Sequence, residues 1–206
     1  MKLQFFGWSS LLLLMFLCTS SCKKDKAPQP QANTVTIGGD AYETVTIENL
    51  VWTSSNYKGT SGVAYNSNGD KQEYGRYYTY QEALAVPVPE GWRIPTVEDY
   101  VALAQSQGVV FSNYRATKQD ALKKLVSQTN WKNIPGSNAS GFNAYPAGYI
   151  YESSAHLDGD ISEFWTADGK TASIMEGANG TQHNMFFYEN SSSPGYRFNL
   201  RFVKDK

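Results

Sequence analysis

Cysteine is almost absent from this chain. Among 206 residues there are two cysteines, Cys18 and Cys22, and both lie in or directly after an apolar N-terminal stretch. The rest of the chain therefore has no disulfide bridge, no zinc site built from thiolates and no cysteine nucleophile. A domain formed by that remainder must be held together by packing alone.

An excess of positive charge is also lacking. The chain carries 18 lysines and arginines against 19 acidic residues, which gives a formal net charge of −1. A nucleic-acid-binding surface usually shows a basic excess, whereas the only basic run here, Lys23 to Lys26, lies close to the apolar stretch. We therefore expect no nucleic-acid partner.

Catalytic patterns are scarce as well. The two histidines, His156 and His183, are far apart in sequence and lack a nearby cysteine or carboxylate pattern, so we expect surface histidines. Residues 136–141, GSNASG, do not have the G-x-S-x-G spacing of a nucleophile elbow. The sequence predicts a protein that is not an enzyme, with no catalytic residue and no cofactor. A site assembled by folding around the two histidines is the alternative.

The N-terminus has no apolar run of the roughly 20 residues that a membrane span needs. Lys2 precedes an apolar run centred on Leu11 to Leu17, and small polar residues lead into Cys22, as in bacterial lipoprotein signal peptides. We predict a leader over residues 1–21, lipid on Cys22 and a flexible tether over residues 22–33. The lipid would hold the protein on the outer membrane of a Gram-negative bacterium, on its periplasmic side or at the cell surface. An ordinary secretory signal is the alternative.

The segment from Glu73 to Gln105 predicts two short helices around a strand. Gln81 to Val86 is predicted to be helical, and the prolines that follow must end that helix. Trp92 to Ile94 is predicted to be an apolar strand. Thr96 is suited to cap a second helix, because apolar residues recur at helical spacing after it.

The rest of the domain, predicted over residues 34–206, combines a hairpin, a surface loop and a third helix with antiparallel strands after Trp131. A hairpin is predicted around Gly38-Gly39-Asp40, a surface turn at Asn68-Gly69 and a third helix over Thr117 to Val126. Further strands are predicted over Phe142 to Ile150, Ile161 to Thr166, Thr171 to Met175, Asn184 to Tyr188 and Tyr196 to Val203. Early helices and late strands together predict an α+β fold.

Several stretches resemble a known family. The runs YGRYYTYQEAL and PEGWRIPTVEDYVAL, Trp52 with Asn56, and the closing GYRFNLRFVKD are similar to the Fibrobacter succinogenes major paralogous domain, from about Gly38 to the end. That group of bacterial surface and periplasmic domains is related to the C-type lectin-like fold. The resemblance implies two to three helices packed on twisted antiparallel strands, with the N- and C-terminal strands close together. Phe202 departs from the family pattern, which usually has cysteine there.

Oxygen-bearing side chains alternate in two places. Asp158, Asp160, Ser162 and Glu163 have a spacing that resembles a calcium loop, although the glycine after the third ligand and the distant glutamate are missing. Residues 66–70 show a less acidic version of the same spacing. A simple turn is the prediction, since Asp-Gly and Asn-Gly pairs are common in hairpins. Calcium held by Asp158, Asp160 and Glu163 is the alternative.

Aromatic residues are plentiful, with 14 tyrosines and 5 tryptophans. Flat rings stack on sugar faces, and nearby polar groups bond to hydroxyls, so Trp131, Tyr149, Tyr151 and Asp160 are the candidate ligand-binding residues. Tyr145 and Trp165 are further candidates for the same surface. The alternative is that these rings build the core, and Trp52, Trp92 and Trp165 are expected there.

The combined expectation is a membrane-anchored lipoprotein whose domain binds a ligand without catalysis. A glycan or a surface protein would be the partner, and calcium is possible as a bound ion. Fold alone supplies no function, so two other classes stay open. One is a structural component of a cell-surface assembly, and the other is an enzyme with a site assembled by the fold.

Overall fold

The computed structural model describes Met1 and residues 33–66, 70–178 and 180–206. The lipidation site at Cys22 lies outside the described residues, as do the predicted leader and tether apart from Met1 and Asn33. The turn predicted at Asn68-Gly69 lies outside them too. These expectations stay predictions.

Strands dominate the described part of the chain. It contains two α-helices, α1 (Tyr80–Leu84) and α2 (Val97–Ser106), and two 3-10 helices, Gln72–Tyr74 and Asp120–Lys124. The strands in chain order are β1 (Thr34–Ile37), β2 (Asp40–Ile47), β3 (Leu50–Thr53), β4 (Val63–Ala64), β5 (Arg76–Tyr77), β6 (Trp92–Arg93), β7 (Ala116–Gln119), β8 (Tyr149–Tyr151), β9 (Ser154–His156), β10 (Ile161–Trp165), β11 (Lys170–Glu176), β12 (His183–Glu189), β13 (Tyr196–Arg197) and β14 (Val203–Asp205).

These strands pair into four sheets. A five-stranded sheet has the order β1-β2-β3-β14-β6, and a four-stranded sheet has the order β10-β11-β12-β7. A three-stranded sheet, β13-β8-β9, and the pair β4-β5 complete the set in the described residues. The last strand, β14, pairs with β3 and so lies in the same sheet as β1. Both ends of the folded region therefore lie in this sheet, with β2 and β3 between β1 and β14.

The predicted α+β fold, with two to three helices packed on strands, is wrong: the protein is mostly β. The expected third helix is instead β7 followed by a 3-10 helix. Lys118, inside that segment, has a φ of 52°, which an α-helix cannot accommodate. The apolar spacing of Leu122, Leu125 and Val126 has another cause, since all three are buried beneath the tight 3-10 turn and the bend after it.

The predicted strands are partly confirmed. β10, β11 and β12 form where the alternating pattern places them, and they pair in continuous antiparallel register. The stretch from Phe142 is irregular up to Tyr149, and the expected strand from Tyr196 to Val203 breaks into β13 and β14. Residues 198–202 cross between sheets, where their backbone bonds to Tyr57, Tyr78 and Glu163 replace a regular ladder.

Both predicted helices in the central segment are present, and both begin with a capping box. Thr79 accepts from the backbone N–H of Glu82, while Thr96 accepts from that of Asp99. Each acidic side chain bonds back to the backbone N–H of its threonine, so two otherwise unpaired donors are satisfied at each helix start. Helix propensity alone would not hold α1, which has five residues.

Three clusters of buried side chains form the core of the described region, and the third joins Tyr74, Tyr77, Ala147 and Ile150. The first is centred on Trp52, Tyr100, Phe142 and Phe164. The second is centred on Tyr57, Tyr78, Trp165, Phe198 and Phe202. Trp52 and Trp165 are fully buried, as expected. The third expected core tryptophan, Trp92, is only half-buried.

An arginine lies in the middle of this apolar interior. Arg201 is completely buried, with its guanidinium 4.7 Å from the ring centre of Phe142. It donates to the backbone carbonyls of Thr53, Phe142 and Asn143 at 2.8 to 2.9 Å. Burial lowers the pKa of Arg201 from its usual range, but these acceptors satisfy the N–H groups of the charged form.

Candidate functional site

The three-stranded sheet presents four rings on one side. Tyr149 and Tyr151 are two residues apart on β8, so both side chains point to the same face. Tyr149 is paired with His156 on β9, and Tyr151 is paired with Tyr196 on β13. Residues directly opposite each other in a sheet share a face. We call Tyr149, Tyr151, His156 and Tyr196 the aromatic face.

The rings of the aromatic face contact one another in a row. Tyr149 stacks on His156 with ring centres 5.3 Å apart and planes 23° from parallel. Tyr196 lies 5.7 Å from Tyr149 and 4.7 Å from Tyr151. These separations fall in the range in which aromatic pairs stabilise one another. The row is therefore continuous across all three strands.

Buried rings support the aromatic face from below. Tyr196 stacks on buried Phe198, with ring centres 5.6 Å apart, and Phe198 in turn meets Trp165 at 4.8 Å. At the outer end Tyr151 is 37% exposed and His156 is also exposed, while Tyr149 and Tyr196 are half-buried. The exposed rings are thus fixed on a rigid base, which is the arrangement a preorganised binding surface needs.

The hydroxyls of Tyr149 and Tyr151 stay protonated around neutral pH. Burial raises the pKa of Tyr149, with smaller contributions from Tyr196 and Glu163. A hydrogen bond with Glu152 raises the pKa of Tyr151. Each hydroxyl can therefore donate as well as accept a hydrogen bond.

The hairpin that carries Tyr151 has an unusual tip. Glu152 and Ser153, which join β8 to β9, have φ values of 45° and 74°. Two-residue hairpin loops of this type prefer Asn-Gly, because most side chains disfavour positive φ. Gly195 lies against this tip, where a Cβ would be 2.9 Å from the Tyr151 ring. The chain thus accepts local strain where it positions an exposed ring.

The structure brings together only two of the four predicted ligand-binding residues. Tyr149 and Tyr151 are neighbours on the aromatic face, whereas Trp131 is 8% exposed and belongs to the first core. Asp160 forms an ion pair with Lys132, with 2.7 Å between the carboxylate oxygen and the ammonium nitrogen. Trp131 does not reach the aromatic face because its ring packs edge-on against buried His183, with ring centres 4.7 Å apart.

The three candidate calcium ligands do not converge. Asp158 is paired with Lys71, and Asp160 is paired with Lys132. Burial opposes the ionisation of Asp158, but the hydrogen bonds from Lys71 and Tyr65 outweigh it and lower the pKa of that carboxyl. Within the ranges that the structure describes, no group of three His, Cys, Asp or Glu side chains is arranged to hold a metal.

Glu163, the third candidate, lies inside β10 and is 6% exposed. It faces Ser173 across the strand pair β10-β11. Burial raises the pKa of Glu163 to about 8, and the Ser173 hydroxyl offsets this only in part. Glu163 is therefore a largely neutral acid at neutral pH, which is a poor ligand for calcium.

The histidines were expected at the surface, and only one is. His156 is exposed on the aromatic face, while His183 is fully buried. Sequence reasoning missed Tyr196 and His156 as members of the binding face. The sequence did carry one signal: side chains two residues apart on a strand share a face, which puts Tyr149 beside Tyr151. The pairing of β8 with β9 and β13 depends on strand register, which the sequence pattern does not reveal.

Comparison with known proteins identifies the family of this chain but no individual similar protein. The family model described as Fibrobacter succinogenes major domain matches residues 32–204. Nothing among curated proteins and nothing among solved structures matches the chain. Neither helix in the described ranges has the length and apolar character needed to cross a bilayer. The matched region includes every residue of the aromatic face.

Proposed function

Because this chain belongs to the Fibrobacter succinogenes major domain family, a membership that specifies no activity, we propose a function from the aromatic face itself. The domain binds a glycan without catalysis, and the aromatic face is the binding surface. The row of rings formed by Tyr149, Tyr151, His156 and Tyr196 is the observation that supports this proposal.

The chemistry of the aromatic face suits a sugar. One side of a pyranose ring is a flat patch of C–H groups, which packs on an aromatic ring, and its edge carries hydroxyls. Tyrosine supplies both the ring and a polar tip, and it has few side-chain torsions to immobilise on binding. His156 and Ser154, exposed on the same hairpin, supply further polar groups. The face offers stacking surfaces and hydroxyls rather than a paired acid and base.

We further propose that the domain is tethered to the outer membrane by lipid on Cys22. The small residues before that cysteine and the proline-rich stretch after it support this part of the proposal. Labelled palmitate should enter the wild-type chain and should not enter a Cys22→Ala variant. Lipid incorporation into Cys22→Ala would refute the anchor without affecting the aromatic face.

A glycan array tests the binding proposal. The full chain, purified in detergent, is applied with and without calcium, and we expect specific binding that does not depend on calcium. Tyr151→Ala and Tyr196→Ala should each weaken that binding at least tenfold. Tyr188→Ala is the matched control, since Tyr188 is 42% exposed but lies on β12, away from the aromatic face. Equal losses in the control, or no glycan bound at all, would refute the proposal.

A structural role in a surface assembly is the second candidate, and one observation favours it. Strand β9 is the edge of its sheet, and all of its residues, Ser154–His156, are exposed. An exposed edge can accept a strand from a partner protein. Capture of one envelope protein, abolished by Ala155→Pro and unaffected by Tyr151→Ala, would favour this role over glycan binding.

A further inference from the structure

A groove lies on the side of the three-stranded sheet opposite the aromatic face. Ile150 and Arg197, which alternate with the aromatic residues along β8 and β13, form part of its lining. The β4-β5 pair contributes Val63, Ala64 and Arg76, and Ser153 lines it from the hairpin tip. The groove encloses about 450 Å³. That volume lies within the roughly 300 to 1,000 Å³ of typical ligand pockets.

Arg76 brings a fixed positive charge to this groove. Its Nε donates to the carbonyl oxygen of Gly62 at 2.9 Å, and Nη2 donates to the same oxygen. This carbonyl orients the guanidinium but carries no net charge. Among the described residues, no carboxylate lies within ion-pair distance of Arg76, and the residue is half-buried. Its charge is therefore preorganised but not balanced.

The other cations near the groove are balanced. Arg197 pairs with Glu82, whose carboxylate is already held by the backbone N–H of Thr79 in the α1 capping box. Lys71 pairs with Asp158, and its ammonium lies 4.6 Å from the ring centre of Tyr65. An incoming anion would therefore meet Arg76 as the unpaired charge.

We propose that this groove binds the anionic group of an acidic saccharide, either a carboxylate or a sulfate ester, at Arg76. Guanidinium groups prefer such oxyanions, because their N–H groups form two parallel bonds to a pair of oxygens. Val63, which is 36% exposed, provides apolar surface for the sugar ring, and Ser153 is a further polar residue of the lining. The inference rests on the proposed glycan function and adds to it a preference for acidic over neutral sugars.

The first experiment observes Arg76 directly in the full chain held in detergent. The Nε–H signal of Arg76 is assigned in ¹⁵N spectra by its loss in Arg76→Lys. We expect it to shift on addition of galacturonate or galactose 6-sulfate, and not on addition of galactose. The two acids distinguish a carboxylate site from a sulfate site. No shift with either acid, or an equal shift with acetate, would overturn the inference, whether or not the aromatic face binds a glycan.

The second experiment separates this inference from the proposed function. Binding of oligogalacturonate and of a neutral galactan is compared between wild type, Arg76→Gln, Arg76→Lys and Tyr196→Ala. Arg76→Gln should weaken binding of oligogalacturonate at least tenfold and change binding of the neutral galactan less than twofold. The affinity of Arg76→Lys for oligogalacturonate should lie between those of wild type and Arg76→Gln. Tyr196→Ala should weaken both. Suppose that Arg76→Gln melts like the wild type and keeps the wild-type ratio of affinities for oligogalacturonate and neutral galactan. Anion binding in the groove is then refuted, whereas glycan binding at the aromatic face is not.

Discussion

The Nε of Arg201 donates a hydrogen bond of 2.6 Å to the side-chain oxygen of Asn56, 145 positions earlier in the chain. Asn56 itself donates to the carbonyl of Tyr74 at 2.9 Å. A second buried amide, Asn199, donates to that same carbonyl at 3.0 Å. The opening, central and closing segments of the domain are thus joined by one buried polar network. Such a network specifies a single arrangement only if its members are satisfied. Among its side-chain atoms, only Oδ1 of Asn199 lacks a partner in the described residues.

Replacing Arg201 with methionine should destabilise the domain severely. The substitution keeps apolar volume but leaves Asn56 and three backbone carbonyls without their donor. Each unsatisfied buried acceptor costs about 1 to 3 kcal/mol, so we expect the loss to reach at least about 3 kcal/mol. Urea denaturation measures it. Arg115→Met is the control, since Arg115 also lies over a ring, Phe186, but is exposed. Similar losses in both variants would contradict this role.

The sequence predicts the local elements better than their assembly. Thr79 and Thr96 do begin helices, and the alternation in β10 to β12 does produce strands. The segment from Thr117 misleads, because burial of one face by a 3-10 turn imitates helical spacing. The aromatic face could be predicted only in part. Tyr149 and Tyr151 share a strand, whereas Tyr196 reaches them through a pairing between distant segments.

Glu163 should make stability fall as pH rises. Burial raises its pKa in the folded state to about 8, from an ordinary value near 4.5. The folded protein therefore holds the proton more tightly than the unfolded chain between these two values. The stabilisation is complete below about pH 4.5 and is lost progressively up to about pH 8. On a plot of stability against pH, this loss forms the alkaline limb. Glu163→Gln should flatten that limb and raise the melting temperature at pH 8.

The measurement is a series of thermal melts from pH 4 to pH 9. Glu90→Gln is the matched control, because Glu90 is an exposed glutamate whose neutralisation should leave the limb unchanged. A Glu163→Gln variant that shows the same alkaline loss as wild type would contradict the buried-acid account.

His183 should act in the opposite direction. Neither of its ring nitrogens has a hydrogen-bond partner among the described residues, and burial lowers its pKa to about 4 from 6.5. The unfolded chain binds this proton more readily, so stability should fall as the pH drops from about 6.5 to about 4. His183→Phe should remove that acid limb.

The two limbs overlap and oppose each other between about pH 4.5 and 6.5. The effect of His183 is therefore best measured in a Glu163→Gln background, where its slope is isolated. His156→Phe in the same background is the control, because that histidine is exposed. Persistence of the acid limb after His183→Phe would show that other groups cause it.

The hairpin tip beneath Tyr151 should yield a stabilising substitution. Ser153 has a φ of 74°, where a Cβ is unfavourable and glycine is not. Ser153→Gly should therefore stabilise the domain by about 1 kcal/mol, in line with the strain of a non-glycine residue in the left-handed region. Ser154→Gly, one residue later in β9, should instead destabilise by roughly 0.5 to 1 kcal/mol, because the extended strand gains nothing from glycine. Denaturation of the two variants side by side gives opposite signs if the strain is local to Ser153; the same sign for both would show that the tip is unstrained.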